Sequence, residues 1–221
     1  MIIDWQQIDT VLLDMDGTLL DLHYDNFYWC EYLPVIYAQQ HSLNIESAKR
    51  EIEPKLQAKR GELEWYCTDY WSKEFNLDIA ASKAEEEVAN KIAFLPSAEN
   101  FLRHLNNLGK QVWLLTNAHP DVLKIKCDRL DLAPYFEHLI SSHSIGFPKE
   151  NLQFWHLIKD QFPFDYKRSL FVDDSLPILR TAQEFGIQNL LAVQQPDSSK
   201  PPKDTGGYDS LDLTCFDKKR S

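Results

Sequence analysis

Basic residues are in short supply in this chain of 221 residues: 23 lysines and arginines stand against 34 aspartates and glutamates, a formal charge of −11. The summed field repels polyanions, which excludes loose adhesion to a nucleic-acid polymer or to an anionic membrane surface, and an anionic small substrate needs local neutralisation. Cysteine is scarce as well. Cys30, Cys67, Cys127 and Cys215 show no CxxC spacing, so neither a disulfide framework nor a zinc site is indicated, and a reducing compartment is expected. No run approaches the ~20 apolar residues that cross a bilayer. The opening MIIDWQ has neither a basic n-region nor a long apolar h-region. A cytoplasmic protein with no membrane partner is the expectation. Internal repeats are also missing.

Hydrophobic residues make up 43% of the chain, enough for a packed core, and the length suits one domain carrying an insertion. Five short apolar runs have the character of buried strands: residues 8–14, 111–116, 138–141, 169–173 and 187–193. Helical patterns lie between them. In one, Phe101, Leu102, Leu105 and Leu108 recur at helical spacing, with Ser97 placed to cap the start and Gly109 to end it. This alternation predicts an α/β fold, a parallel sheet with helices on both faces, whose ligands gather beyond the carboxyl ends of the strands. Asp14, Thr116 and Asp173 fall at those ends. Residues 21–95 contain no convincing strand and are rich in helix formers and aromatics. They are expected to form an inserted α-helical cap over a core made of residues 1–20 and 96–221. From Gln194 onward the chain is loop-like, with Leu211, Leu213 and Phe216 able to pack back.

The chemistry begins at Asp14-Met15-Asp16-Gly17-Thr18, directly after the first apolar run. Alternate residues of an extended segment share a face, so the two carboxylates can converge. At about 4 Å and an effective dielectric near 20 they would repel by roughly 4 kcal/mol, which a cation or a shared proton must offset. A divalent metal is implied. A calcium loop is excluded, because glycine falls fourth from Asp14 instead of sixth and the twelfth position is Asp25 instead of glutamate. Three more polar segments follow strands: Leu115-Thr116-Asn117-Ala118, Gly146-Phe147-Pro148-Lys149 and Phe171-Val172-Asp173-Asp174-Ser175. Phosphoryl transfer needs a nucleophile, a proton donor to the leaving oxygen, a metal between carboxylates and phosphate, and cationic or hydroxyl groups on the equatorial oxygens. Each has a candidate here.

The segments DMDGT, LLTN, PK and FVDDS, in that order, resemble the motifs of the haloacid dehalogenase (HAD) superfamily of phosphatases, in the subgroup with a helical cap after the first motif. The resemblance implies a Rossmann-like, HAD-like core and a Mg²⁺-dependent phosphomonoesterase working through an aspartyl-phosphate. It implies Asp14 as the nucleophile and Asp16 as general acid and then base. Thr116 would bind the phosphoryl oxygens with Asn117 adjacent, and Lys149 would neutralise phosphate and orient Asp14. Mg²⁺ would be held by Asp14, the backbone carbonyl of Asp16, and Asp174 aided by Asp173, with the choice of direct ligand in the Asp173-Asp174 pair left open. A dehalogenase is disfavoured, since those members typically lack the second acid, here Asp16. The stretches 65–72, 114–120 and 173–175 further resemble the bacterial purine 5'-nucleotidases of the superfamily, implying a purine nucleoside monophosphate, GMP or IMP, as substrate. A phosphatase directed at phosphoglycolate or sugar phosphates is the alternative, followed by a phosphomutase.

Other polar and aromatic groups have simpler readings. Tyr66/Tyr70 and Cys67/Trp71 lie one helical turn apart, which favours packing inside the cap, although one exposed ring there can stack on a purine. His119 fits a helix start or a substrate-shaping position. Glu85-Glu86-Glu87 fits a solvated helix face.

Overall fold

The computed structural model describes residues 3–216; Met1, Ile2 and residues 217–221, the outer ends of the expected core, lie outside the described residues. Five strands, β1 (Thr10–Leu13), β2 (Gln111–Thr116), β3 (His138–Ser141), β4 (Ser169–Asp173) and β5 (Asn189–Ala192), form one sheet in the order β3-β2-β1-β4-β5. Every neighbouring pair is parallel. The alternation of side chains explains why helices cover both faces. Val11 and Leu13 of β1 join one hydrophobic core, whereas Leu12 joins the other with Trp113 and Phe171.

After the sheet-facing helices are counted, α7 (Ala98–Asn107) and α8 (Pro120–Leu130) supply Phe101, Leu105 and Val122 to the first core. On the other face, α10 (Leu152–Gln161) and α11 (Leu176–Phe185) supply Phe154, Trp155 and Leu179; the short α9 (Ser142–Ile145) follows β3 directly. Strand order reverses between β1 and β4, the switch point at which such sheets leave a crevice outside the strand ends.

Between β1 and β2 the described chain is helical: α1 (His23–Phe27), a wide π turn at Tyr28–Tyr32, α2 (Leu33–His41), α3 (Ile45–Ala58), α4 (Thr68–Phe75), α5 (Ile79–Ala84) and α6 (Glu86–Ala89). Side-chain caps start several of them, Asn44 accepting from Ser47 N at 2.9 Å and Asp78 from Ala81 N at 2.9 Å. Trp71 and Phe75 are buried and stacked at 5.2 Å, and Tyr28 is buried. Tyr28, Trp71 and Phe75 are therefore packing, whereas Phe27, Trp29, Trp65, Tyr66 and Tyr70 are half-buried. Glu85, Glu86 and Glu87 are exposed.

Three local expectations need correction. The first strand starts at Thr10 because Trp5–Gln7 forms a 3₁₀ turn closed by Ile8 N on Trp5 O. The last strand starts at Asn189, since the Ile187 amide bonds the Ala182 carbonyl and completes the end of α11 behind Gly186, at φ +117°. Ser97 stands at the start of α7, but in a left-handed conformation with φ +67° and without a side-chain cap. Leu213 is buried, and Leu211 and Phe216 pack against the first core, as the tail pattern predicts.

Candidate active site

The turn after β1 puts two carboxylates at the switch point. The Asp14 amide bonds Val172 O at 3.0 Å, which continues the sheet for one residue, and the chain then reverses at Gly17, with φ +84°. A Cβ at Gly17 would lie 2.9 Å from Asp174 Cγ, Leu22 Cδ1 and Pro196 Cβ. Only glycine fits both that dihedral and that space. Met15 is fully buried, so Asp14 and Asp16 remain on the cavity side.

Asp14 meets Lys149 and Asp173 in a pocket that is almost closed to water. The Lys149 ammonium donates to Asp14 Oδ1 at 2.5 Å, to Asp173 Oδ2 at 2.7 Å and to the Leu115 carbonyl at 3.0 Å. All three of its protons are placed. Burial opposes the charged form of this lysine, yet the two carboxylates outweigh it and hold the pKa above the ordinary lysine value. Lys149 arrives there through its backbone: its amide donates to Asn117 Oδ1 at 2.9 Å, while Asn117 Nδ2 donates to Glu150 Oε2 at 2.8 Å. The Asn117 side chain is thus committed to the turn that carries the lysine. Thr116, 1% exposed at the end of β2, accepts from Ala118 N at 3.0 Å.

Asp173 and Asp174 divide their tasks. Both Asp173 oxygens have partners, Lys149 on one and the Ser175 amide at 2.7 Å on the other. Asp174 accepts from Lys203 at 2.8 Å through Oδ2. Burial pushes both carboxyls above the usual range. Carboxylate oxygens of Asp14, Asp173 and Asp174 lie within 4.8 Å of one another. An all-oxygen set with surplus negative charge suits a hard divalent cation.

Asp16 departs from that cluster. Its carboxylate accepts from Lys126 Nζ at 2.6 Å, and the same ammonium reaches Asp25 Oδ2 at 2.6 Å. Lys83 then bonds Asp25 Oδ1 at 2.9 Å and lies 4.3 Å from the Tyr28 ring centroid. Asp14 and Asp16 thus each face a lysine, and the carboxylates grouped as a cation would need them are Asp14, Asp173 and Asp174. Desolvation is the main cause that raises the Asp16 carboxyl to about 7, against the pull of Lys126. Burial likewise opposes ionisation of Asp25, but Lys126 and Lys83 win and hold it below the usual carboxylate range.

These groups open into a cavity of about 1130 Å³, lined on the sheet side by Asp14, Asp16, Thr116, Asn117, Lys149, Asp173 and Asp174, and on the helical side by Trp29, Lys49, Arg60, Trp65 and Tyr66. All seven residues expected from the sequence are brought together. Tyr66 ties the two sides, donating to Glu150 Oε1 at 2.6 Å. His119 begins α8 as expected, its Nδ1 3.4 Å from Asp121 N. Sequence inspection misses Lys126, Lys83, Asp25 and Lys203. None belongs to a compact motif, and the only available signal is that Lys126 lies within an otherwise apolar-faced helix.

The sequence profile of the haloacid dehalogenase-like hydrolases matches residues 8–186. A GMP/IMP nucleotidase, YrfG, of Escherichia coli K12 is 38% identical over 209 residues, 95% of this chain and 93% of that protein, and its Shigella flexneri counterpart aligns equally. Among solved structures, a HAD phosphatase from Thermococcus onnurineus superposes with a TM-score of 0.77 at 17% identity, covering 93% of this chain and 94% of that one. A Bacteroides thetaiotaomicron HAD family enzyme, solved with magnesium and inorganic phosphate, gives 0.62 at 18% identity over 90% of this chain and 97% of its own. At those identities the structural matches speak for the fold.

Proposed function

The chain belongs to the haloacid dehalogenase-like hydrolase family, and from that premise we propose that it is a Mg²⁺-dependent purine 5'-nucleotidase that hydrolyses GMP and IMP through an aspartyl-phosphate on Asp14. The observation that carries the phosphatase reading is the buried Lys149 ammonium held simultaneously by Asp14 and Asp173 at the strand ends. It fixes one Asp14 oxygen and leaves the other to face a phosphorus atom in the cavity. Lys149 and the Thr116 hydroxyl supply a cation and a hydroxyl for the phosphoryl oxygens.

In this scheme Asp14 attacks phosphorus in line with the ester oxygen. Asp16, whose side chain is 19% exposed, gives its proton to the leaving ribose oxygen. It then takes a proton from the water that cleaves the acyl phosphate. A carboxyl that titrates at about 7 is matched to both steps near neutral pH. Mg²⁺ would be held by Asp14, Asp174 and the Asp16 carbonyl, with Asp173 one layer out because both its oxygens are already bonded. Bound there, it neutralises charge on the transferring group.

Residues 21–95 act as the cap over the core, and the cap sets the substrate. Trp29, Trp65 and Tyr66 present rings to the cavity, with Lys49 and Arg60 nearby. Such a wall suits a purine face and the acceptor atoms of its edge, and it agrees with the name of the 38% identical relatives. The test is a panel of nucleoside monophosphates, sugar phosphates and phosphoglycolate with Mg²⁺. IMP and GMP should give the highest kcat/KM, and Asp14→Asn should lose at least about 10³-fold. Equal rates with phosphoglycolate would reject the purine preference, and an active Asp14→Asn would reject the nucleophile.

A further inference from the structure

Away from the carboxylates, three donors of a different kind meet where the helical segment adjoins the sheet: Cys67 at the start of α4, His119 before α8 and His143 in α9. Their donor atoms lie within 4.8 Å of one another. The state of His143 is informative. The Ser141 hydroxyl donates its only proton to the Ala118 carbonyl at 2.7 Å, so at 3.5 Å from His143 Nδ1 it can act only as acceptor. With the ring proton on Nδ1, facing that acceptor, Nε2 carries a lone pair. That Nε2 is buried and has no hydrogen-bond partner.

His119 is held through the backbone: its Nδ1 accepts from the Asp121 amide at 3.4 Å with the Asp121 carboxylate equally close, and its Nε2 stands 3.7 Å from Asp69 Oδ2. An oxygen acceptor behind the imidazole, as Ser141 is for His143, is the arrangement that fixes a histidine as a metal ligand. Cys67 Sγ accepts only a long bond from Tyr70 N, at 3.4 Å.

We propose that Cys67, His119 and His143 form a Zn²⁺ site, separate from the magnesium-type carboxylate cluster, that fastens the helical cap to the core. Sulfur with two imidazoles selects a borderline d¹⁰ ion over Mg²⁺. Asp69, exposed and next to His119, is the oxygen donor for the fourth position. Tetrahedral bonds of roughly 2.0–2.3 Å put ligand atoms about 3.3–3.8 Å apart, so the donors close by about 1 Å on binding. Cys67 and Asp69 lie on the segment between β1 and β2, and His119 lies two residues beyond Asn117. The ion would hold the cap down beside the phosphate loop.

The test titrates the reduced, metal-free full chain, saturated with Mg²⁺ so that the carboxylate cluster is filled, with Co²⁺ followed by absorption and with Zn²⁺ by calorimetry. One equivalent of Co²⁺ should bind with an intense thiolate-to-cobalt charge-transfer band, displaced by Zn²⁺. Cys67→Ser should abolish the band, and His143→Gln should weaken Zn²⁺ binding at least about 100-fold. Cys30→Ser should leave both unchanged. Circular dichroism checks the fold of each variant, and the two site variants sit on separate elements so that either one decides the matter. Absence of the band, its survival in Cys67→Ser, or unchanged Zn²⁺ affinity in His143→Gln would overturn the site.

Discussion

Single side chains decide the chemistry here through the charges that face them. Asp16 is the clearest case. In the proposed scheme it carries the proton that releases the ribose oxygen, and burial raises its carboxyl to about 7. On the alkaline side kcat/KM for IMP should therefore fall as pH passes 7, because ionised Asp16 has nothing to donate. Asp16→Asn should remove that limb and cost about 10²–10⁴-fold with IMP. The loss should be smaller with an aryl phosphate, whose leaving group needs little protonation. Lys126 lowers the Asp16 pKa, so Lys126→Met should move the same limb to still higher pH. It should also destabilise the fold by about 3 kcal/mol, since the Asp25 and Asp16 carboxylates lose a shared buried partner; chemical denaturation measures that. Asp14, Asp16, Thr116 and the Asp173-Asp174 pair are legible in the sequence because they end or closely follow apolar strand runs, and Lys149 because it follows the turn Gly146-Phe147-Pro148. Lys126 and Lys83 are not, because nothing in a helix sequence marks a lysine that turns inward to meet an acid far away in the chain, 101 and 110 residues for Lys126 and 58 for Lys83.

At the scale of elements, strands are legible to the residue where polar or turn-forming residues bound the apolar run, and less so where the run continues into a neighbouring turn. β2, β3 and β4 coincide with the apolar runs, whereas β1 and β5 are shorter than theirs because Ile8 and Ile187 close neighbouring turns and still point into the core. The turn at Gly17 is legible as a glycine but not as a contact with Asp174. Gly17→Ala meets both a forbidden dihedral and three atoms at 2.9 Å. It should lower stability by about 1–3 kcal/mol, read as a drop in Tm, and should disturb the Asp174 carboxylate and with it the apparent Mg²⁺ affinity. The meeting of Cys67, His119 and His143 is invisible in sequence for a related reason. Their separations follow from how three different elements dock, and no short spacing records it.

For the whole molecule, the excess of acids in a chain of charge −11 persists in the cavity, whose lining carries eight carboxylates against four lysines and two arginines. In the proposed scheme an anionic ester is therefore neutralised by placed groups, Lys149 and a bound divalent cation, and not by the summed field. In the same scheme the sheet side supplies reactivity, and the helical side supplies the rings that select a leaving group. Trp65→Ala should lower kcat/KM for IMP by about 5- to 100-fold, the worth of one stacked base, while an ester without a base loses little. Steady-state comparison of IMP with phosphoglycolate checks this.

The central claim is covalent transfer to Asp14. The most direct measurement is rapid acid quench of the Mg²⁺-loaded enzyme during turnover of IMP radiolabelled in its phosphate, followed by peptide mapping. Label released by hydroxylamine should reside on the peptide containing Asp14 and be absent from Asp14→Asn. Turnover with no label on the protein, or label on another residue such as His119, would contradict the account.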